Sequence, residues 1–242
     1  MTNGRIGLTL TEIQKLAIDF ETLDPEEILG WAVDRFAPRV AMTSNFGAEG
    51  IVVIDHLRRI APATPIIYLN TGFQFPETDR IKEELQTRFG LNIVEYRAEL
   101  SVREQARVYG ERLYLHNPEL CCRQRKVEPL QKALSGFDVW VAALRRDQSP
   151  TRASIGVVEW NAQRQLVKIN PLATWSRAQV WDYIERRGLP YNPLYDDGYA
   201  SIGCAPCTHR VTPGAHERSG RWDGKTRLEC GIHLETASAR GD

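Results

Sequence analysis

Residues 39–57 have the sequence RVAMTSNFGAEGIVVIDHL. The short apolar run at 39–43 predicts a buried strand, and the apolar residues at 51–57 predict a helix. The turn between them contains small residues such as Ser44 and Gly47. A strand, a turn of this kind and a helix present backbone N–H groups and a helix N-terminus to a phosphate group. The closing Gly-Lys-Ser/Thr of the Walker pattern is absent, so the segment alone is weak evidence for phosphate binding.

The alternation of strand and helix continues on both sides of this segment. Two helices are predicted within residues 11–37, where Asp24-Pro25-Glu26-Glu27 is typical of a helix start. We therefore expect an α/β fold with a mostly parallel, doubly wound sheet. From Asp196 onward the pattern is replaced by Gly, Pro and charged residues, which predicts a mobile C-terminal tail. The later elements are strands at 65–69, 92–96 and 139–144, helices at 77–89, 102–109, 121–134 and 176–187, and a hairpin at 155–160 and 165–169.

Composition excludes some classes of partner. The 242 residues carry 31 basic and 31 acidic side chains, and a net charge of +0 argues against general nucleic-acid binding. No run of apolar residues is long enough to span a membrane, and residues 1–5 open no hydrophobic signal segment, so we expect a cytoplasmic protein with reduced cysteines. Residues 121–152 nevertheless carry seven bases and three acids, which suits a small anionic ligand.

The five cysteines form two close pairs and one single residue: Cys121 with Cys122, Cys204 with Cys207, and Cys230. Two close pairs can supply the four thiolates of a zinc site or an iron–sulfur cluster. A lone Cys-x-x-Cys also fits a redox dithiol or two small buried residues, but two pairs favour metal binding. Neighbouring helical side chains diverge by about 100°. Cys121 and Cys122 can therefore share a centre only if it is large or the helix is distorted, which favours a cluster over zinc.

The candidate anion-binding residues follow a predicted strand. Arg145, Arg146 and Arg152 lie in a Ser- and Thr-bearing loop that suits phosphate or sulfate. Open α/β sheets bind ligands at this end of their strands. A solvated basic loop is the alternative interpretation. His233 lies three residues after Cys230, and if the segment is helical there its imidazole would favour the thiolate. A buried structural histidine is the alternative.

Together these motifs resemble the assimilatory adenylyl-sulfate (APS) reductases of the phosphoadenylyl-sulfate reductase family. The resemblance covers nearly the whole chain after residue 38. It departs from the family's usual Leu-Asp-Thr-Gly at one position, which is Asn70 here. The motifs that carry it are Cys121-Cys122-Arg-x-Arg-Lys126, Cys204-x-x-Cys207, Thr71-Gly72-x-x-x-Pro76-Glu77-Thr78, the arginine loop, Arg218-Ser-Gly-Arg221-Trp222 and Glu229-Cys-Gly-Ile-His233.

The resemblance implies a fold like that of the adenine nucleotide α-hydrolases. It implies a nucleotide-binding core in residues 39–200, and a cluster loop and catalytic tail in 201–242, which follow the N-terminal helices that the sequence pattern predicts within residues 1–38. It also implies a cytoplasmic homo-oligomer that reduces adenylyl sulfate to sulfite and AMP with electrons from thioredoxin, without nucleic-acid or membrane partners. A [4Fe–4S] cluster would be bound by Cys121, Cys122, Cys204 and Cys207, with Cys230 as nucleophile and His233 and Lys126 as catalytic partners. The implied substrate-binding residues are Ser44, Phe46, Gly47, Glu49, Leu69, Thr71, Gly72, Arg145, Arg146, Arg152, Arg218, Arg221 and Trp222.

Three other functions remain open at this point. The first is a reductase that uses the 3′-phosphorylated substrate (PAPS). The second is an ATP-dependent sulfurtransferase of tRNA thiolation, which would be expected to have an RNA-binding domain or a basic face. The third is a nonenzymatic, zinc-stabilised nucleotide-binding or redox-sensing protein. This third function leaves the Cys230 motif and the tail arginines without a role.

Overall fold

The computed structural model describes residues 6–212, 214–222 and 229–233. Within these residues the strands are β1 (Val40–Thr43), β2 (Ile66–Asn70), β3 (Ile93–Arg97), β4 (Val139–Ala142), β5 (Val158–Asn161) and β6 (Leu166–Ile169). The helices of the same residues are α1 (Leu10–Asp19), α2 (Pro25–Phe36), α3 (Ala48–Ile60), α4 (Pro76–Phe89), α5 (Val102–Tyr109), α6 (Leu113–His116), α7 (Pro118–Cys122), α8 (Glu128–Leu134) and α9 (Arg177–Arg187).

The strands form one sheet in the order β3-β2-β1-β4-β6-β5. All neighbours are parallel except β5, which runs antiparallel to β6. The predicted α/β class, mostly parallel sheet and hairpin are therefore confirmed. Along the chain, β2 and β3 are added on one side of β1, and β4, β5 and β6 then form the other side of the sheet. Open sheets of this kind bind ligands beside the point where the strand order reverses, at the carboxyl ends of the strands.

Helices cover both faces of the sheet, which explains why its central strands are continuous apolar runs. Successive strand residues point to opposite faces. Met42 packs in a core with α2, α3 and α9, whereas the neighbouring Ala41 packs in a second core with α8. Trp140 of β4 is fully buried in this second core. Burying each large apolar side chain stabilises the fold by roughly 1.5–3 kcal/mol.

Local sequence signals set the helix ends. Asp24 is the N-cap residue of α2, and its backbone N–H donates to the Glu27 carboxylate at 2.9 Å. Proline occupies the first turn of the helix, as predicted. Gly90 ends α4 with a left-handed φ of 63°, which costs glycine little. Both predicted boundaries are confirmed.

The segment 121–134 differs from the single helix predicted by its sequence. Residues Arg123–Val127 form a π-helical turn between α7 and α8. The wider turn changes the direction in which the following side chains point. It buries Arg125 and directs the half-buried Lys126 towards two cavities that are described below.

The segment after α9 has little regular structure, as expected. Short 3-10 turns at Pro193–Tyr195 and Ala205–Cys207 are followed by an isolated bridge between Thr208 and Arg221. The predicted mobile tail falls partly on residues 223–228 and 234–242, which lie outside the described residues. Across the part of the chain that the structure describes, no helix is long and apolar enough to cross a membrane.

Candidate active site

An open cleft lies beside the carboxyl ends of β1, β2 and β4. The loops that leave these three strands form its walls, and the C-terminal segment closes one side. This is the position at which the sheet topology predicts a ligand site. The predicted site residues that line the cleft are Ser44, Gly47, Glu49, Leu69, Thr71, Lys126, Arg152, Cys204, Arg218, Arg221, Cys230 and His233.

Two predicted substrate-binding residues have structural positions instead. Phe46 is fully buried and packs on the Tyr68 ring, with centroids 5.4 Å apart. Gly72 adopts a φ of +73°, and a Cβ there would lie 2.9 Å from the Val102 side chain. Neither residue is among those that line the cleft, because Phe46 belongs to the core and Gly72 allows a close approach of α5 to the loop after β2. Their contact with the substrate stays a prediction.

The loop after β4 brings only one of its three arginines to the cleft. Arg145 is fully buried, and its guanidinium pairs with Glu49 at 3.0 Å, with Glu217 at 2.9 Å and with Asp147. Arg146 points away, and donates to Glu21 at 2.7 Å and to the Ile155 carbonyl at 2.9 Å.

The three arginines stay predicted anion contacts, but they differ in position. Carboxylates from other parts of the chain occupy Arg145 and Arg146. Arg152 lines the cleft.

Cys230 lines the cleft and is half-buried. Burial alone would raise the pKa of its thiol, but the Lys126 ammonium, the Ile232 backbone N–H and the Arg221 guanidinium bring that pKa below its ordinary value. Burial alone would lower the pKa of Lys126, but the sulfurs of Cys204, Cys230 and Cys122 raise it overall. Lys126 is therefore a cation that favours the Cys230 thiolate.

His233 does not have the predicted helical relation to Cys230, because residues 229–233 form an irregular turn. Its ring stacks on Trp140 with centroids 5.3 Å apart and an interplanar angle of 12°. Burial first, and then Lys168 and other nearby cations, lower the pKa of His233 well below its ordinary value. The imidazole is therefore neutral at pH 7 and supplies no positive charge to a thiolate.

A second, smaller space adjoins the cleft, and we call it the cysteine cavity. Four of the five cysteines line it, and Lys126 and Cys204 line both spaces. The Thr71 hydroxyl lies 3.2 Å from the Cys204 sulfur. Burial, together with neighbouring Cys122 and Cys204, raises the pKa of Cys121 to about 11. The residues of the cysteine cavity are Phe73, Tyr114, Pro118, Cys121, Cys122, Arg125, Lys126, Cys204, Pro206, Cys207 and Trp222.

Trp222 thus lines the cysteine cavity and is not among the cleft-lining residues, so its role in substrate binding stays a prediction. Its ring lies beneath the guanidinium groups of Arg221 and Arg218, at 4.7 and 5.4 Å from the ring centroid. Among residues 6–212, 214–222 and 229–233, no three His, Cys, Asp or Glu side chains are grouped so as to hold a metal ion. A four-iron cluster has a different requirement, because each thiolate binds its own iron and the four sulfurs need not converge on one point.

This site lies in a part of the chain that matches a known protein family. Residues 39–210 match the model of the phosphoadenosine phosphosulfate reductase domain. The chain belongs to this family. The match spans the strands that form the cleft and all four cysteines of the cysteine cavity.

Curated relatives of this reductase family extend the similarity beyond residues 39–210. A phosphoadenosine 5′-phosphosulfate reductase of Gloeobacter violaceus is 48% identical over 94% of this chain and 96% of its own length. An adenosine 5′-phosphosulfate reductase of Streptomyces coelicolor is 42% identical over 96% of this chain and 100% of its own. A crystal structure of Candida auris phosphoadenylyl-sulfate reductase, in complex with phosphate, is 31% identical, has a TM-score of 0.76 and covers 85% of this chain and 99% of that one. These similarities confirm the predicted family and fold.

The one departure from the usual family motif has a local explanation. The side-chain oxygen Oδ1 of Asn70 accepts from the Gly72 backbone N–H at 2.9 Å, and its side-chain amide donates to Glu95 at 2.9 Å. An aspartate at this position would place two carboxylates against each other. Asn70 therefore keeps the turn after β2 and suits the acidic Glu95 beside it.

Sequence reasoning missed several residues that organise the site. Arg125 donates to the Thr71 carbonyl at 2.9 Å, and so connects the π-helical turn to the loop after β2. Tyr195 lines the cleft and its hydroxyl accepts from the Ala48 N–H at 3.0 Å. Glu229 stood within a recognised motif but had no predicted role. No pattern in the sequence indicates these contacts, because each joins segments that are far apart along the chain.

Proposed function

We propose that this chain is an adenylyl-sulfate reductase, which converts adenylyl sulfate to sulfite and AMP with electrons from thioredoxin, in assimilatory sulfate reduction. One observation carries the proposal. Cys230, with its pKa lowered by Lys126, lines a cleft together with Arg152, Arg218 and Arg221. A nucleophilic thiolate among cations suits an attack on an anionic sulfuryl group.

In the first step, the Cys230 thiolate attacks the sulfur of adenylyl sulfate. A sulfur–sulfur bond forms, the bond from sulfur to the phosphate oxygen breaks, and AMP leaves with the electron pair of that bond. The Cys230 side chain becomes an S-sulfonate. Lys126 and the cleft arginines offset the negative charge that would otherwise repel the thiolate from sulfate and phosphate.

The second step requires a further thiol. The other four cysteines line the cysteine cavity, so we propose that a thioredoxin dithiol is the reductant. Its first thiolate attacks the Cys230 sulfur, and sulfite leaves with the sulfur–sulfur bonding pair. Its second thiolate then resolves the mixed disulfide. The partner's dithiol becomes a disulfide, the sulfuryl sulfur gains two electrons, and Cys230 is restored as a thiolate.

We further propose that Cys121, Cys122, Cys204 and Cys207 bind a [4Fe–4S] cluster. The shared cavity, the burial of Cys121 and Cys122, and the π-helical turn that follows this adjacent pair support it. When bound, the cluster would join α7 to the Cys204 loop and place its charge beside Lys126. Lys126 would then offset the charge of the cluster and of the substrate, because it lines both the cysteine cavity and the cleft.

The 3′-phosphorylated substrate is the alternative. The Gloeobacter relative named as a phosphoadenosine 5′-phosphosulfate reductase favours it, and the Streptomyces relative named as an adenosine 5′-phosphosulfate reductase favours adenylyl sulfate. We propose adenylyl sulfate as the preferred substrate, because cluster-bearing members of the family generally use it.

Sulfite release tests the proposal. Purified protein with reduced thioredoxin should release sulfite, with a higher kcat/KM for adenylyl sulfate than for its 3′-phosphorylated analogue. Without thioredoxin, Cys230 should gain the mass of one sulfonate, about 80 Da from the covalent chemistry. Cys230→Ser should bind the substrate but form no adduct. No sulfite from either substrate, or an adduct on another cysteine, would contradict the proposal.

A further inference from the structure

Glu229, the residue before Cys230, is a buried carboxylate with an exposed fraction of only 4%. Its carboxylate accepts two hydrogen bonds from Arg152, at 2.7 Å from Nε and 3.0 Å from Nη2. Thr151 and Arg218 donate to it at 3.3 Å. Burial alone would raise the pKa of Glu229, but Arg152 and Arg218 hold it below its ordinary value. A buried and ionised Glu229 therefore joins the catalytic segment to the loop after β4.

The position of Arg152 makes this ion pair relevant to the reaction. Arg152 lines the cleft, whereas Glu229 is not among the cleft-lining residues. The remaining guanidinium nitrogen of Arg152 donates to the Gln148 side chain. The guanidinium is thus held by Glu229, outside the cleft lining, and by Gln148, which lines the cleft beside it, in a fork geometry that leaves little freedom of rotation.

Glu229 also restrains the backbone that carries Cys230. Its partner Arg152 is 77 residues away along the chain, on the body of the domain. Two further contacts hold the same segment, since Ile232 packs against the core that contains Leu130 and His233 stacks on Trp140. The ion pair is the contact nearest to Cys230 in sequence.

We propose that Glu229 is a positioning residue for the reaction. It fixes Cys230 and Arg152 relative to each other, so that the thiolate meets a sulfuryl group whose charge Arg152 offsets. This inference rests on the proposed function, because it takes Cys230 as the nucleophile. Glu229 acts through its two neighbours and does not touch the substrate.

Glu229→Gln tests the role, because glutamine keeps the shape of the side chain and removes its charge. In single-turnover experiments without thioredoxin, we expect the rate of S-sulfonate formation on Cys230 to fall at least tenfold. The dissociation constant for adenylyl sulfate should change less than threefold, because Lys126, Arg218 and Arg221 still line the cleft. Amide hydrogen exchange should become faster in residues 229–233 than in wild type.

Two further variants sharpen the comparison. Glu185→Gln removes an exposed carboxylate on α9 and should keep the wild-type adduct rate. Glu229→Asp keeps the charge on a shorter side chain, so its adduct rate should lie between those of wild type and Glu229→Gln. If Glu229→Gln does not fold, Glu229→Asp carries the test alone.

The outcomes separate the two proposals. If wild-type protein forms no adduct on Cys230, the proposed function fails. If wild type forms the adduct and either Glu229 variant forms it at the wild-type rate, the positioning role is wrong and the proposed function stands. Equal losses in the adduct rate and in substrate affinity would also contradict a positioning role, because they would indicate a general disruption of the cleft.

Discussion

Lys126 is the residue that connects the two spaces of the site. It lines both the cleft and the cysteine cavity, and three sulfurs around it keep it charged. Its ammonium is the largest of the influences that lower the pKa of Cys230. The reactivity of Cys230 should therefore depend on Lys126 even when no substrate is present.

Replacing Lys126 by Met should raise the pKa of Cys230 and reduce its thiolate fraction at neutral pH. Below the thiol pKa, the alkylation rate is proportional to the thiolate fraction, so the rate at pH 7 should fall. We expect a decrease of at least threefold, which corresponds to a pKa higher by about 0.5 unit. Iodoacetamide labelling of Cys230 between pH 6 and 10, followed by peptide mapping, measures the midpoint. The exposed Lys132→Met is the control, and an unchanged midpoint in Lys126→Met would disprove the assigned influence.

At the scale of elements, the π-helical turn between α7 and α8 is the feature that the sequence did not reveal. The sequence predicts a single α-helix over 121–134, and the segment is helical, but the pattern does not report which carbonyl each N–H selects. The buried Arg125 within the turn donates to the Thr71 and Leu100 carbonyls and to the Gln105 side chain. These acceptors lie in two other segments, so the turn is stabilised by contacts that local sequence cannot encode.

Arg125→Lys should destabilise the protein by about 2–4 kcal/mol, because a lysine cannot reach three acceptors and leaves buried groups without partners. Chemical unfolding monitored by circular dichroism measures the free energy of unfolding. Arg123→Lys changes an exposed arginine of the same turn and should alter that free energy by less than about 0.5 kcal/mol. Equal stability of the two variants would mean that Arg125 does not support the turn.

For the whole molecule, the sequence predicted the order and type of the main elements, and its two close cysteine pairs line one cavity. Each of these depends on residues that are close together in the chain or on the family motifs. The partners of the loop arginines could not be predicted in the same way. Arg146 and Glu21 are 125 residues apart, and only the assembled fold shows that they meet. The basic composition of the loop therefore suggested three anion-binding groups, of which Arg152 lines the cleft.

Replacing one cysteine of the cysteine cavity tests whether its four cysteines bind the same cluster. Cys204→Ser should lose most of its iron and its visible absorbance, because one ligand of the proposed cluster is missing. Cys230→Ser should keep both, since Cys230 does not line the cysteine cavity. Iron analysis of anaerobically purified protein measures the difference. Full iron content in Cys204→Ser would contradict the assignment of the cluster.

The internal pairing of the loop arginines has a consequence for how an anionic substrate arrives. Glu49, Asp147 and Glu217 neutralise Arg145, Glu21 pairs with Arg146, and Glu229 pairs with Arg152, in a chain of net charge +0. Such a protein has little long-range field with which to steer an anion, and its cations act at short range. Association should therefore be limited by diffusion and orientation. Raising the ionic strength from 0.05 to 0.3 M should lower kcat/KM by less than about threefold, whereas a steeper fall would reveal electrostatic steering.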